Sequence, residues 1–199
     1  MSTTAEKVRE LRDKTGAGVM DCKEALAASG EDLEKAVDFL RKKGLASASK
    51  RAHRQARDGV VSAYIHAGAK LGVLVEVNCE TDFVARTEQF QDLVKGLAMQ
   101  VAASSPRWVS REEVPEDVIE REREIYRQQM ADQKKPPQVL DKIIEGKLAR
   151  FYEEACLVDQ LYIRDAGGKL KVADLIAQVS AQTGEKVAVR RFVRFQVGE

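Results

Sequence analysis

The chain has 199 residues, of which 44% are hydrophobic and 33% are charged. This composition fits one sizeable globular unit with room for a small satellite domain, and it excludes a disordered tail. The 33 basic and 32 acidic residues leave a formal net charge of +1, so no overall field attracts nucleic acid or an anionic membrane. No apolar run approaches the roughly 20 residues of a membrane span, and the polar start lacks the apolar core of a signal peptide. We therefore expect a cytoplasmic protein.

Cysteine and histidine are too few and too scattered to suggest a metal site or a disulfide framework. The chain has three cysteines, Cys22, Cys79 and Cys156, no Cys-x-x-Cys pair, and only two histidines. Because a free cysteine behaves as a small buried hydrophobe, we expect all three to be reduced packing residues. No phosphate-binding Gly-x-x-x-x-Gly-Lys-Ser/Thr loop is present either, so no cofactor is expected.

The first 45 residues predict three short helices. Val8 and Leu11 lie on one face of the first helix, which ends at Thr15-Gly16-Ala17-Gly18 because two close glycines interrupt a helix. The second helix is predicted from Met20 to Ala28, and the third is expected to stop at Gly44. The apolar face of the third helix consists of Leu33, Ala36, Val37 and Leu40. Together the three helices predict a compact recognition module.

Residues 46–57 are rich in alanine and serine and then become basic. The run from Lys50 to Arg57 has no apolar stripe, which is typical of a solvated linker, extended or helical. The alternative is that the chain is an RNA-associated helical protein that uses this basic run. No aromatic residue is interleaved to stack on bases, so a spacer between two domains is favoured.

A hairpin and a helix follow the linker and meet at the stretch Asn78-Cys79-Glu80-Thr81-Asp82-Phe83-Val84. Apolar residues alternate along two segments separated by a turn at Gly68, which predicts two antiparallel strands. The second strand carries one apolar face, formed by Leu71, Val73, Val75, Val77 and Cys79. Apolar spacings of three and four then predict a helix over residues 81–102, with Thr81 as its N-cap. The stretch is therefore a strand-to-helix corner.

The periodicity alone predicts a buried Phe83. This residue stands seven positions before Phe90, which is close to two helical turns, so both would lie on the apolar face of one helix. A lone phenylalanine on such a face usually packs inward. Pattern alone therefore places Phe83 in the core.

The rest of the chain predicts a pair of helices, a further helix and a last strand. A charged helix begins near Pro115 and runs to about Gln129, with a buried stripe of Val118, Ile119, Ile125 and Tyr126. A second helix, from Gln138 to about Asp159, follows Pro136-Pro137 and packs antiparallel to the first. The acids near Glu120 suit ion pairing, and the weak alternative of a hydrolase lacks a nucleophile and a base.

A helix from Val172 to Gln182 precedes a strand from Lys186 to Gly198. One face of that strand is predicted to carry Val187, Val189, Val193, Phe195 and Val197. These elements predict an antiparallel sheet of at least three strands, covered by helices, together with a helical hairpin. The predicted fold class is therefore α+β.

Three segments of the chain resemble bacterial elongation factor Ts, the guanine-nucleotide exchange factor of elongation factor Tu. Leu11 to Leu26 resembles its first signature, and Cys79 to Arg86, with Phe90 following, resembles its second. Thr183 to Phe192 is similar to the family's Ile-Gly-Glu-Asn-Ile-x-x-Arg-Arg segment, from which Thr183 and Lys186 depart. The similarity runs from near residue 8 to residue 197.

The resemblance implies a binding protein that makes and breaks no bonds, and so not an enzyme. Its partner would be elongation factor Tu, in the GDP-bound and nucleotide-free states, with no direct contact to nucleic acid or membrane. Asp82-Phe83 would insert into the nucleotide-binding domain, disturb the magnesium and phosphate site and release GDP. The three-helix module, similar to a ubiquitin-associated domain, would dock on the same partner. The implied partner-binding residues are Val19, Met20, Lys23, Thr81, Asp82, Phe83, Thr183 and Gly184.

The resemblance also bears on domain organisation and assembly. The expected parts are a partner-docking module over 1–45, a basic linker over 46–57, and an α+β core over 58–199 for dimerisation and exchange. Longer family members build their core from two related halves, whereas this chain has one. The apolar surface left by the missing half would be covered by a second copy in a homodimer, or by the helical hairpin over residues 115–159.

Overall fold

The computed structural model describes residues 3–130 and 136–199 and confirms the α+β class, with helices on one face of an antiparallel sheet. The helices are α1 Thr4–Thr15, α2 Val19–Ala28, α3 Leu33–Arg51, α4 Asp82–Ala85, α5 Glu88–Ser104, α6 Glu116–Gln129, α7 Pro137–Ala155 and α8 Val172–Thr183. The strands are β1 Asp58–Ile65, β2 Leu71–Cys79 and β3 Ala188–Gln196. No helix in the described part of the chain is long and apolar enough to cross a membrane.

The sheet has the strand order β1-β2-β3, and both pairings are antiparallel. The predicted hairpin of β1 and β2 is confirmed. Val73, Val75, Val77 and Cys79 on β2 are buried, as their alternation predicts. The main core packs them against one face of α5 and α8. The central strand therefore faces the helices, and it ends directly at the corner that begins α4.

The last strand does not keep one apolar face, so that prediction is wrong. Val77 pairs with Val189 and Glu76 pairs with Arg191, which leaves Arg190 as the extra residue of a β-bulge. The bulge reverses the alternation, so Val189 is buried whereas Val193 is exposed. We call the surface that results the outer sheet face. It consists of the exposed residues Val61, Ile65, Leu74, Val193, Phe195 and, just past β3, Val197.

The three predicted N-terminal helices are confirmed, but the third does not stop at Gly44. Helix α3 continues to Arg51 and includes the first part of the basic segment. Gly44 is buried inside the helix, and a glycine in a helix interior costs only about 0.5–1 kcal/mol relative to alanine. The alanines and serines that follow it do not oppose a helix strongly enough to end it.

The N-terminal helices also contact the core. Nη2 of Arg41 on α3 donates to Oδ2 of Asp174 on α8, and this carboxylate is buried. Nε2 of Gln182, at the other end of α8, donates to the carbonyl oxygen of Thr15 at 2.7 Å. Helix α8 therefore contacts both α3 and the end of α1.

Replacing Gly44 by alanine is expected to raise the free energy of unfolding by about 0.5–1 kcal/mol, because alanine loses less backbone entropy in a helix. A Cβ at this position would meet the nearest atoms, the Ala177 oxygen and the Ala181 Cβ, at an ordinary 3.9 Å. Gly96→Ala is the matched control, since its Cβ would lie 2.2 Å from Oη of Tyr162 and should destabilise. Urea unfolding measures both, and a less stable Gly44→Ala variant would contradict the packing of α3.

The predicted helical pair is present as α6 and α7. They pack through Met130, Ile144 and Leu148, and the ion pair of Arg123 with Glu145 crosses between them. The predicted stripe on α6 is only partly buried, and its Ile125 is exposed. Helix α7 ends at Ala155, short of the predicted end, and a 3-10 turn over Leu157–Asp159 follows.

Candidate partner-binding site

The corner between β2 and α5 is built from two caps rather than one continuous helix. Thr81 is the N-cap of α4, as predicted, and its Oγ1 accepts from the Val84 amide at 3.4 Å. Helix α4 ends at Ala85, and Thr87 caps α5 through the Phe90 amide at 3.4 Å. The predicted single helix over 81–102 is therefore wrong. A second capping threonine restarts the helix in a new direction.

This break decides the position of Phe83. The side chain of Phe83 is 80% exposed, whereas Phe90 is fully buried. The buried position that periodicity predicts is wrong, because the two residues lie on different helices and a seven-residue spacing no longer puts them on one face. Val84 and Ala85 are buried beneath the turn and hold it against the core. A large aromatic side chain is thus presented to solvent on an anchored turn.

Asp82, the neighbour of Phe83, is partly exposed and pairs with Arg86. The distance from Arg86 Nη2 to Asp82 Oδ2 is 2.8 Å, and the arginine side chain is largely exposed. Exposed pairs of this kind contribute little to stability, so the carboxylate can exchange Arg86 for another cation at small cost. The corner therefore presents an apolar ring beside a negative charge.

Two sets of hydrogen bonds join residues 80–81 of the corner to residues 185–186, which follow α8. We call these hydrogen bonds the brace. Oε2 of Glu185 accepts from the amides of Glu80 and Thr81 at 2.9 and 3.0 Å, and Oε1 accepts from the Thr81 hydroxyl at 2.6 Å. In return, Oε1 of Glu80 accepts from the Lys186 amide at 2.6 Å. That amide, and then Arg54, lower the pKa of Glu80, so its carboxylate is charged at neutral pH.

No pattern in the sequence predicts a role for either glutamate of this brace. Glu80 lies in the corner, and Glu185 lies in the third resembling segment. The contacts join positions more than 100 residues apart, so no local period marks them. The sequence shows only that the resembling segments 79–86 and 183–192 contain Glu80 and Glu185.

Thr183 and Gly184 lie at the end of α8, directly before Glu185. The brace therefore places them at the same end of the core as the corner. Gly184 has a φ of +74°, the left-handed conformation that glycine adopts easily, and its amide closes α8 on the Ser180 oxygen at 3.0 Å. The Thr183 hydroxyl donates to the Val179 oxygen at 2.8 Å, so it is used within α8. Gly184 is exposed, directly before Glu185.

Three predicted docking residues form a separate patch at the start of α2. Met20 is 75% exposed, and Val19 and Lys23 are also exposed. Gly18 is the N-cap of α2 and, because glycine has no side chain, supplies no side-chain capping hydrogen bond. The candidate residues thus divide between the module and the corner.

All three cysteines are buried and free, as expected for packing residues. Burial raises the pKa of Cys79 and of Cys156 to about 11, so both thiols are protonated at neutral pH. Sγ of Cys79 donates to the Thr81 oxygen at 3.2 Å. Cys79 therefore supports the back of the corner.

Comparison with known proteins gives a consistent assignment. The family model described as Elongation factor TS matches residues 6–199. The elongation factor Ts of Thermodesulfovibrio yellowstonii is 55% identical over 199 residues, covering 100% of this chain and 98% of that protein. The Fervidobacterium nodosum protein of the same name is 55% identical over 199 residues, covering 100% of both chains. That of Anaeromyxobacter sp. strain Fw109-5 is 56% identical over 195 residues, covering 98% of this chain and 88% of that one. The chain therefore belongs to the elongation factor Ts family.

Proposed function

We propose that this protein is the guanine-nucleotide exchange factor of elongation factor Tu in the cytoplasm and acts in translation elongation without chemical catalysis. The exposure of Phe83 on a braced turn carries this proposal. Asp82-Phe83 inserts into the nucleotide-binding domain of elongation factor Tu and disturbs its magnesium and phosphate site, so GDP leaves faster. Linkage gives the physical reason: a protein that prefers the nucleotide-free partner must weaken nucleotide binding by the same factor.

The test follows release of a fluorescent GDP analogue from elongation factor Tu after excess unlabelled GDP is added. Catalytic amounts of the chain should accelerate release, and the accelerated rate should saturate as the concentration of the chain rises. Release at the uncatalysed rate, under conditions where the two proteins form a complex, would refute the exchange function.

We propose that residues 1–45 dock on the same partner through Val19, Met20 and Lys23. Met20 supports this because it exposes a flexible apolar side chain on a helix start, a feature typical of adaptable binding surfaces. Residues 46–57 then connect the module to an exchange and dimerisation core over 58–199. Arg54 in this connection contacts Glu80 and the Gly184 oxygen, which favours a structural role for the basic run over binding of RNA.

Met20→Ala is expected to weaken the complex with elongation factor Tu by about threefold to tenfold, the range of a 1 kcal/mol interface residue or somewhat more. The saturating rate of GDP release should stay near that of the unmodified chain, because the corner is untouched. Titration of the exchange rate against concentration separates the two quantities. A variant with unchanged affinity would show that α2 does not face the partner.

We propose further that the chain forms a homodimer through the outer sheet face. No helix among residues 3–130 and 136–199 covers this face, and its neighbouring residues Leu74 and Val193 are paired across β2 and β3. Phe195 and Ile65 are 70% and 64% exposed, so α6 and α7, as far as the structure describes the hairpin, leave the face open. An exposed apolar face on a soluble protein typically marks an interface, and one self-complementary patch suffices for a symmetric pair.

Light scattering at micromolar concentration tests this assembly. A homodimer should give twice the 22.1 kDa of one chain, with a mass that falls on dilution. A mass near 22.1 kDa that does not change as concentration is raised would refute the dimer.

A further inference from the structure

The brace joins residues 80–81 of the corner to residues 185–186 after α8. Three donors from Glu80 and Thr81 converge on one carboxylate, that of Glu185. Hydrogen bonds to a charged acceptor are roughly twice as strong as neutral ones, so this set is well suited to fix a backbone conformation.

The corner needs such support because α4 is too short to hold itself. Helices well below about 12 residues are unstable in isolation, and α4 has four. Its far end is fixed from α5, where Nε2 of Gln91 donates to the Ala85 oxygen at 2.7 Å. Its near end begins at Thr81, and Glu185 holds both the amide and the hydroxyl of that residue. The direction of Phe83, two residues later, therefore depends on Glu185.

We propose that Glu185 is a positioning residue for the insertion of Asp82-Phe83, an inference that rests on the exchange function proposed above. Glu185 preorganises the exposed turn, so the entropy of ordering it is lost on folding rather than on insertion. The docking patch on α2 lies on other elements and does not use this carboxylate. The effect of Glu185 therefore falls on the insertion step and not on docking.

Two substitutions at this position test the proposal. Glu185→Ala removes the acceptor of all three hydrogen bonds, whereas Glu185→Gln keeps one oxygen for the two amides. Glu185→Ala should lower the saturating rate of GDP release about fivefold, because the turn must then be ordered during insertion. The concentration that gives half of that rate should change by less than about twofold, because docking is intact. Glu185→Gln should restore most of the rate.

Asp165→Ala is the matched control. Its carboxylate also accepts three hydrogen bonds, from the amides of Gly167, Lys169 and Leu170, but in the loop before the opposite end of α8. If Glu185 served only to stabilise the fold, both alanine variants would impair exchange in proportion to their loss of folded protein. Circular dichroism and urea unfolding provide that correction.

A double-mutant cycle with Phe83→Ala gives the decisive readout. When the ring is absent, its placement no longer matters, so adding Glu185→Ala to Phe83→Ala should lower the rate no further. Additive losses would overturn the positioning role. If Glu185→Ala has a normal rate and Phe83→Ala is impaired, the positioning role of Glu185 is refuted but the insertion mechanism is not. A normal rate for Phe83→Ala would refute the insertion mechanism, and the role of Glu185 with it.

Discussion

Replacing Phe83 by alanine is expected to lower catalysed GDP release from elongation factor Tu by at least about tenfold, the cost of a central interface residue. The ring is 80% exposed, so its removal takes little buried area from this protein and leaves its free energy of unfolding nearly unchanged. In the complex, the same ring would enter an apolar site and contribute its full area. Stopped-flow release of labelled GDP and urea unfolding of the variant measure the two effects.

Phe90→Ala is the matched control for this prediction. Phe90 follows Phe83 by seven residues but is fully buried, and its loss should cost roughly 3–5 kcal/mol of stability. Exchange per folded molecule should then be nearly normal for Phe90→Ala and reduced for Phe83→Ala. The reverse outcome, a large loss of stability for Phe83→Ala with normal exchange, would show that Phe83 is a core residue in solution.

Replacing Phe195 by aspartate is expected to weaken the proposed homodimer by at least about a hundredfold. A symmetric interface would bury two new carboxylates, and burying an unpaired charge costs several kcal/mol. In the free chain Phe195 is 70% exposed, so the same change should be tolerated by the fold. Sedimentation or light scattering over a dilution series should give a mass near the 22.1 kDa of one chain.

Ile125→Asp supplies the control for the charge change itself. Ile125 is an exposed apolar residue on α6, in the helical hairpin rather than in the sheet. This variant should remain dimeric. If both variants dissociate equally, or if neither dissociates, the outer sheet face is not the interface.

Much of the fold could be predicted, because the local periodicity of apolar residues and the helix-capping residues determine most of its helices and strands. The corner shows where this reasoning ends. Apolar spacing continued smoothly from Phe83 to Phe90, but Thr87, a second good N-cap six residues after Thr81, signals that the helix restarts. An N-cap at Thr87 ends the shared helical face, so the seven-residue spacing to Phe90 no longer predicts that Phe83 is buried.

The remaining differences come from pairing and packing that a single segment does not contain. Arg190 and Arg191 are two polar residues in succession within an alternating strand, and this pair marks the bulge that exposes Phe195. Gly44 does not end α3, because the helix packs against α8 at this position. The Glu185 brace depends on the tertiary fold and has no signature in a single segment.

Helix α3 gives the two proposed contact surfaces a fixed geometry. Its 19 residues form a rod about 28 Å long that begins in the module. Just beyond its end, Nζ of Lys186 donates to the carbonyl oxygens of Ala52 and Arg54 at 2.7 and 3.0 Å, next to the brace. For a partner that takes both surfaces, docking one places the other at a high effective concentration, with little tether entropy left to lose. One residue inserted into the rod would turn the module by about 100° relative to the corner and remove that advantage.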